Sequence, residues 1–176
     1  MLQTEDKYFW GYRVTPMGEV FSPSGCRQKE YLRWGYPSVS LRSPFGVHTL
    51  ILVHRLVAQL FVHNPAPSIF RIVDHIDGTM TNSIYNLRWV NHHLNCINKT
   101  KAKGCYYNKR FKKWQAKCCG KSVGWFVHEA DAMAAYRKFR QQHFDDEYKR
   151  YVRDAQKISE TDDSADLQTV LFTLPR

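Results

Sequence analysis

Asp74, His75 and Asn95 are side chains whose types and spacing could do chemistry together. Asp74 and His75 close an apolar run begun by Ile72 and Val73, and Asn95 follows in a stretch of helical spacing. A carboxylate and an amide oxygen suit a hard cation such as Mg²⁺, which takes oxygen ligands and keeps several waters, so one or two protein ligands suffice. A neutral imidazole alongside can take a proton from water, and histidine is poised for this near neutral pH. Such a set suits a single divalent metal acting on a phosphodiester, with Asp74 and Asn95 as metal ligands and His75 as general base.

These groups must be brought together by the elements that carry them. Residues 71–98 read strand, turn, strand, short helix. Adjacent residues of a regular strand point to opposite faces. Asp74 and His75 can therefore serve one phosphate only if the strand ends there, and Asp77-Gly78 supplies the turn that would end it. Asn86 opens the second run, Leu87-Arg88-Trp89-Val90, where its amide could tie down the hairpin loop and so orient His75. Asn91, Asn95 and Asn98 fall on one helical face. Asn91 is placed to be the N-cap, which leaves Asn95 one turn in, facing the hairpin. Upstream, ILVHRLVAQLFV at 51–62 repeats apolar residues at helical spacing and predicts a buried amphipathic helix ended by Asn64-Pro65. His54 and Arg55 on it read either as a packing histidine with a surface arginine or as phosphate contacts.

Charge names the class of partner. The 176 residues carry a net +10, which favours a polyanion. Residues 1–103 hold 12 Lys/Arg against 6 Asp/Glu, and residues 104–150 hold 11 against 5, the same excess in half the length. Residues 151–176 are acidic, with 3 against 5. No apolar run approaches the roughly 20 residues that span a bilayer, and the N-terminus does not read as a signal peptide. The five cysteines include no C-x-x-C pair. They read as reduced thiols of a cytoplasmic protein, mostly small core residues, not as a disulfide framework or zinc site.

Two further units flank the hairpin. Residues 8–50, rich in Tyr, Val, Ser, Gly and Pro, predict a small antiparallel β module. Residues 104–127 predict three short strands, at 105–108, 112–119 and 122–126. In the second, Trp114, Ala116 and Cys118 share an apolar face while Lys113, Gln115, Lys117 and Cys119 share a basic one. Residues 128–144 predict a helix whose stripe (Ala132, Ala135, Tyr136, Phe139, His143) would pack behind that sheet. The last residues gain Ser, Thr and Asp and lose periodicity.

The pieces VHRLVAQLF, VDHIDG, TN, NLRWV and Asn95, over about residues 47–98, resemble the HNH family of the phage and intron-encoded homing-endonuclease type. That resemblance implies a ββα-metal fold, with Asp74 and Asn95 at the metal-ligand positions, His75 at the general base and Asn86 at the middle position of the motif. The third motif position is Asn95 instead of His, and both occur in the family. GYRVTPMGEVFSPSG resembles the N-terminal module often found ahead of phage-type HNH nucleases. Residues 104–144 resemble the AP2 domain, which lays a three-stranded sheet in the DNA major groove. By that resemblance and the strand alternation, Tyr106, Asn108, Lys113, Gln115 and Lys117 face DNA, and Arg110 touches a phosphate from the turn. The third strand lacks the Arg and Trp that plant members use on bases.

The fold class expected is α+β, in four parts: a β module at 1–46, an HNH nuclease unit at 47–99, an AP2-like unit at 104–148 and an acidic, mobile tail at 149–176. The function expected is a divalent-metal-dependent DNA endonuclease, nicking double-stranded DNA as a monomer with one Mg²⁺ or Mn²⁺ per active site. Arg55 and the C-terminal face would bind DNA. No membrane and no small-molecule cofactor beyond the metal are expected, and the setting is the cytoplasm of a phage host. The alternative is a catalytically inactive DNA-binding regulator on the same scaffold. A structural RNA-binding protein ranks third, because the sequence shows no exposed aromatic-rich sheet.

Overall fold

The computed structural model describes residues 5–98 and 103–161. It is a mixed α/β structure with four small antiparallel sheets. The first sheet joins β1 (Lys7–Phe9), β2 (Tyr12–Val14) and β3 (Val20–Phe21), and the second joins β4 (Glu30–Arg33), β5 (Tyr36–Arg42) and β6 (His48–Leu52). Each begins with a hairpin closed by Trp-Gly: Trp10 and Gly11 have φ of 53° and 81°, Trp34 and Gly35 of 51° and 82°. Two consecutive residues at positive φ match the right-handed twist of the flanking strands.

Helix α1 (Val53–Phe61) leaves β6 without a break. The helix expected from residue 51 therefore starts at Val53, and Ile51 and Leu52 finish a strand. β6 pairs with β5 from Arg42↔His48 to Ser38↔Leu52, so one sheet crosses the division expected at residue 46. Next come β7 (Ile72–His75), a 3₁₀ turn at Ile84–Asn86, β8 (Leu87–Val90) and α2 (His92–Ile97). Asn91 caps α2 as expected, its Oδ1 accepting from the Leu94 amide at 2.9 Å.

The C-terminal sheet runs β9 (Cys105–Asn108), β10 (Lys113–Cys118) and β11 (Lys121–Phe126), with β10 central. Gly104, at φ +67°, enters it where any side chain would collide with the Tyr136 ring. Cys105, Ala116, Cys118, Ala132 and Tyr136 form a small core between this sheet and α3 (Glu129–Thr161). Burial pushes the Cys118 thiol up to about 11, as befits an inert core residue.

Helix α3 corrects the largest expectation. It continues far past residue 144, and residues 149–161, expected in a mobile tail, are helical. Phe144 is buried in the main core, and Tyr148, Tyr151, Val152 and Ala155 pack against that core beside Phe70. The rings of Phe70 and Tyr148 lie 4.9 Å apart. The same core gathers Val14, Val39, Leu41, Leu56, Val57, Trp89, Val90 and Leu94, so both N-terminal sheets, α1, the β7–β8–α2 unit and the back half of α3 share one interior. The 170–174 stretch, read as a docking candidate, lies outside the described residues. No described helix is long and apolar enough to cross a membrane.

Candidate active site

β7 ends at His75 because the chain turns there: the Gly78 amide donates to the His75 carbonyl at 3.1 Å, and Gly78 has a φ of 74°. Both Asp74 and His75 are buried, and both line one open cavity of about 480 Å³ with His54, Arg55, Arg71 and Asn95. The strand end lets both adjacent residues line the one cavity.

Asn86 holds the loop that follows. Its Oδ1 accepts from the Asp77 amide at 3.1 Å, and its Nδ2 donates to Thr81 O at 3.0 Å and Thr79 Oγ1 at 3.3 Å. Asp77 in turn accepts from the Thr79 amide at 2.7 Å, which lowers its pKa. The loop so folded presents Asn82, whose Oδ1 lies 3.2 Å from His75 Nε2. With the amide oriented this way Nε2 carries the proton, and the lone pair of His75 is on Nδ1.

Two residues that the sequence reading left without a role are bound to Asp74. Arg88, its cross-strand partner in β8, donates from Nε at 3.0 Å and Nη2 at 2.9 Å, both to Oδ2. Asn98, at the end of α2, donates from Nδ2 to the same oxygen at 2.9 Å. Every hydrogen bond from the described residues to this carboxylate falls on Oδ2, which leaves Oδ1. Asn95 lines the cavity, and its side chain makes no hydrogen bond among the described residues. Asn98 shared the face that singled out Asn95, and a register of the hairpin would have placed Arg88 opposite Asp74.

His75 is also packed between rings. Tyr36 from β5 stacks on it at 6.2 Å and 14°, and His54 from α1 lies 5.2 Å away. His54 is 6% exposed, and its Nδ1 is buried without a partner. Burial, reinforced by the neighbouring His75 and Arg55, lowers its pKa to about 4, so it is neutral at physiological pH. The packing reading of His54 fits this burial, while Arg55 is exposed at the cavity rim.

Among the described residues no group of three or more His, Cys, Asp or Glu could hold a metal ion. One carboxylate oxygen, Asp74 Oδ1, and the Asn95 amide on the same cavity fit a hard cation that keeps waters and binds substrate phosphate oxygens.

The C-terminal residues lie apart from this cavity. Tyr106, Lys113 and Lys117 are exposed on the outer face of their sheet, and Arg110 is exposed in the β9–β10 turn. Asn108 is partly committed, its Oδ1 accepting from the Arg110 and Phe111 amides at 3.0 and 3.2 Å. Gln115 is held across the sheet by Tyr106 and Ser122. The sequence showed no exposed aromatic sheet, and the structure corrects that: Tyr106 and Trp125 pair on either side of Gln115, both exposed.

No family model matches the chain. Over 89 residues, 49% of its length, the chain is 38% identical to an uncharacterized HNH endonuclease, L245, of Acanthamoeba polyphaga mimivirus. It spans about a quarter of that relative, 26%. Among solved structures, one described as DNA binding and cleavage by the HNH homing endonuclease I-HmuI aligns with a TM-score of 0.48 at 35% identity, over 54% of this chain and 57% of that one. Over about half its length, the chain is thus similar in sequence to an HNH endonuclease.

Proposed function

We propose that this chain is a divalent-metal-dependent DNA endonuclease. The observation that carries the reading is the meeting of Asp74, His75 and Asn95 on one cavity rimmed by Arg55 and Arg71. The similarity to an HNH endonuclease supports it. Asp74 and Asn95 would hold Mg²⁺ or Mn²⁺, which supplies charge stabilisation at the scissile phosphate when bound. His75 takes the proton of the attacking water on Nδ1. Asn82 holds the ring through Nε2, and Asn86 keeps the loop that carries Asn82. Arg55 and Arg71 attract the phosphate backbone. The C-terminal unit, read as AP2-like, positions the duplex, and one metal site in a monomer gives a nick. The thiols of Cys26 and Cys119 are free and exposed, which suits a reducing cytoplasm.

The clasp of Arg88 and Asn98 on Asp74 favours a second reading, a DNA-binding regulator in which that carboxylate is structural. A supercoiled-plasmid assay separates the two. Nicking that needs Mg²⁺ or Mn²⁺, stops with chelator and is lost in Asp74→Asn supports the nuclease. An Asp74→Asn chain that cuts like the wild type sinks it, and a wild-type chain that binds duplex but never cuts supports the regulator.

A further inference from the structure

We propose that the outer face of the C-terminal sheet reads an A·T base pair in the major groove, Gln115 taking the adenine and the Phe111–Trp125 cleft taking the thymine methyl group. This rests on the reading of the chain as a DNA-contacting protein, though not on its cutting.

The register of the sheet aligns Tyr106, Gln115 and Trp125 in one row across β9, β10 and β11. Strands lie about 4.8 Å apart, so the row is roughly 10 Å across, within a major groove about 12 Å wide. Gln115 is fixed at both ends of its amide. Tyr106 Oη donates to Oε1 at 2.7 Å, and Nε2 donates to Ser122 Oγ at 3.2 Å. A carboxamide has two acceptor lone pairs and two N–H donors. One of each is used, so one of each remains, and exchanging the amide oxygen and nitrogen would leave the same pair. In the major groove adenine alone offers an adjacent acceptor and donor, N7 and N6–H, on a single base. Guanine offers two acceptors, against which the amide oxygen would be repelled.

Thymine, the partner of that adenine, carries a methyl group in the same groove. Beside Gln115 the rings of Trp125 and Phe111 meet edge to face at 5.1 Å and 67°. With Lys113 they line a shallow cleft of about 300 Å³. Both rings are substantially exposed, at 40% and 55%, so the cleft is open to a ligand. An edge-to-face pair makes a notch, not the flat platform on which unpaired bases stack. Lys113 and Lys117, exposed on the same face, supply the charge complement to the duplex backbone.

The test uses the full-length chain in chelator, so that binding is read without cutting, and a randomised duplex library. Selected sites should share a fixed A·T pair. Replacing its adenine by 7-deazaadenine, which removes the N7 acceptor and keeps N6–H, should weaken wild-type binding roughly 2- to 12-fold, about half the free energy of a bidentate pair, and should leave Gln115→Ala unaffected. Replacing its thymine by uracil should cost about fourfold, the worth of one buried methyl, and nothing in Trp125→Ala. The near-isosteric Gln115→Glu should move the preference at that position toward cytosine, whose N4 donates to a carboxylate. Selection that yields no such position, a preference untouched by both Gln115 variants, or equal affinity for single strands overturns the proposal. A chain that reads A·T in this way but never cuts would leave it standing while the nuclease reading fell.

Discussion

Asn98 ties the end of α2 to the end of β7 through one nitrogen, donating to Asp74 Oδ2 at 2.9 Å and to the His75 carbonyl at 3.1 Å. Asn95, one turn earlier, faces the same cavity without such bonds. On the proposed function, the two asparagines divide the work of holding the site and of meeting a cation. Asn98→Ala should cost about 1–3 kcal/mol in urea unfolding, because it strips a donor from a buried carboxylate. Asn95→Ala should leave the unfolding midpoint nearly unchanged and raise the Mg²⁺ concentration needed for nicking. Identical behaviour of the two variants in both measurements would refute the division.

His75→Ala should lower the nicking rate by about 10²–10⁴-fold, the usual worth of a positioned general base. Since His75 is buried against Tyr36 and His54, a modest loss of stability accompanies it. Asn82→Ala should give a smaller rate loss and shift the pH profile, because it frees the ring to change tautomer. Asn86→Ala should cost stability first, since three hydrogen bonds to the 77–81 loop go with it. An unaltered rate and pH profile in His75→Ala would mean that another group activates the water.

His54 makes stability depend on pH. Its folded pKa, about 4, lies below the unfolded value of 6.5, so between these the unfolded chain binds the extra proton. Stability from this group is complete above about pH 6.5 and is lost as pH falls toward 4, by on the order of 3 kcal/mol in all. His54→Gln has no such proton to gain. The difference in urea midpoint between wild type and His54→Gln should change across pH 7 to 4.5 in the direction of weaker wild type at low pH. A constant difference would show that His54 is not buried neutral.

A chain cut after residue 103 should be a poor nuclease for a reason that is not DNA affinity. The elements that carry Asp74, His75 and Asn95 all lie before residue 103. The Phe144 ring, however, covers the Arg88 guanidinium at 3.7 Å, and Arg88 holds Asp74. Removing α3 uncovers that pair and strips Phe144, Tyr148 and Tyr151 from the core, at roughly 1.5–3 kcal/mol for each large side chain fully uncovered. Circular dichroism melts of residues 1–103 and of full-length Phe144→Ala should both show marked destabilisation. A 1–103 fragment as stable as the full chain would overturn this account.

Much of the β7–β8–α2 unit was legible because its signals are local. Two short apolar runs, an Asp-Gly turn and an asparagine cap need only neighbours to be read. The basic face of β10 was legible for the same reason, in the alternation of Lys113, Gln115 and Lys117 with Trp114, Ala116 and Cys118. The extent of α3 was hidden by geometry. Ala132, Tyr136 and Phe139 form one stripe, whereas Phe144, Tyr148, Tyr151, Val152 and Ala155 form another, rotated by roughly 130° at 3.6 residues per turn. No single apolar face runs the length of the helix, and the charges around the second stripe resemble a solvated tail. Arg88 and Asn98 were missed because their meaning lies in the oxygen they share, and that is set by the tertiary fold.

The change of face along α3 makes it a ruler. At 1.5 Å per residue its 33 residues measure about 50 Å, with the sheet fastened along Ala132–Phe139 and the main core fastened from Phe144 onward. On the proposed function, the number of base pairs between the recognised bases and the broken bond is written in the residues between Phe139 and Phe144. One residue inserted there swings the sheet about 100° around the duplex-facing side and breaks the phase. Four restore the orientation to within about 40° and lengthen the rod by about 6 Å, which is slightly under two steps of a duplex at 3.4 Å each. Cleavage position, in such a molecule, is a matter of helix length.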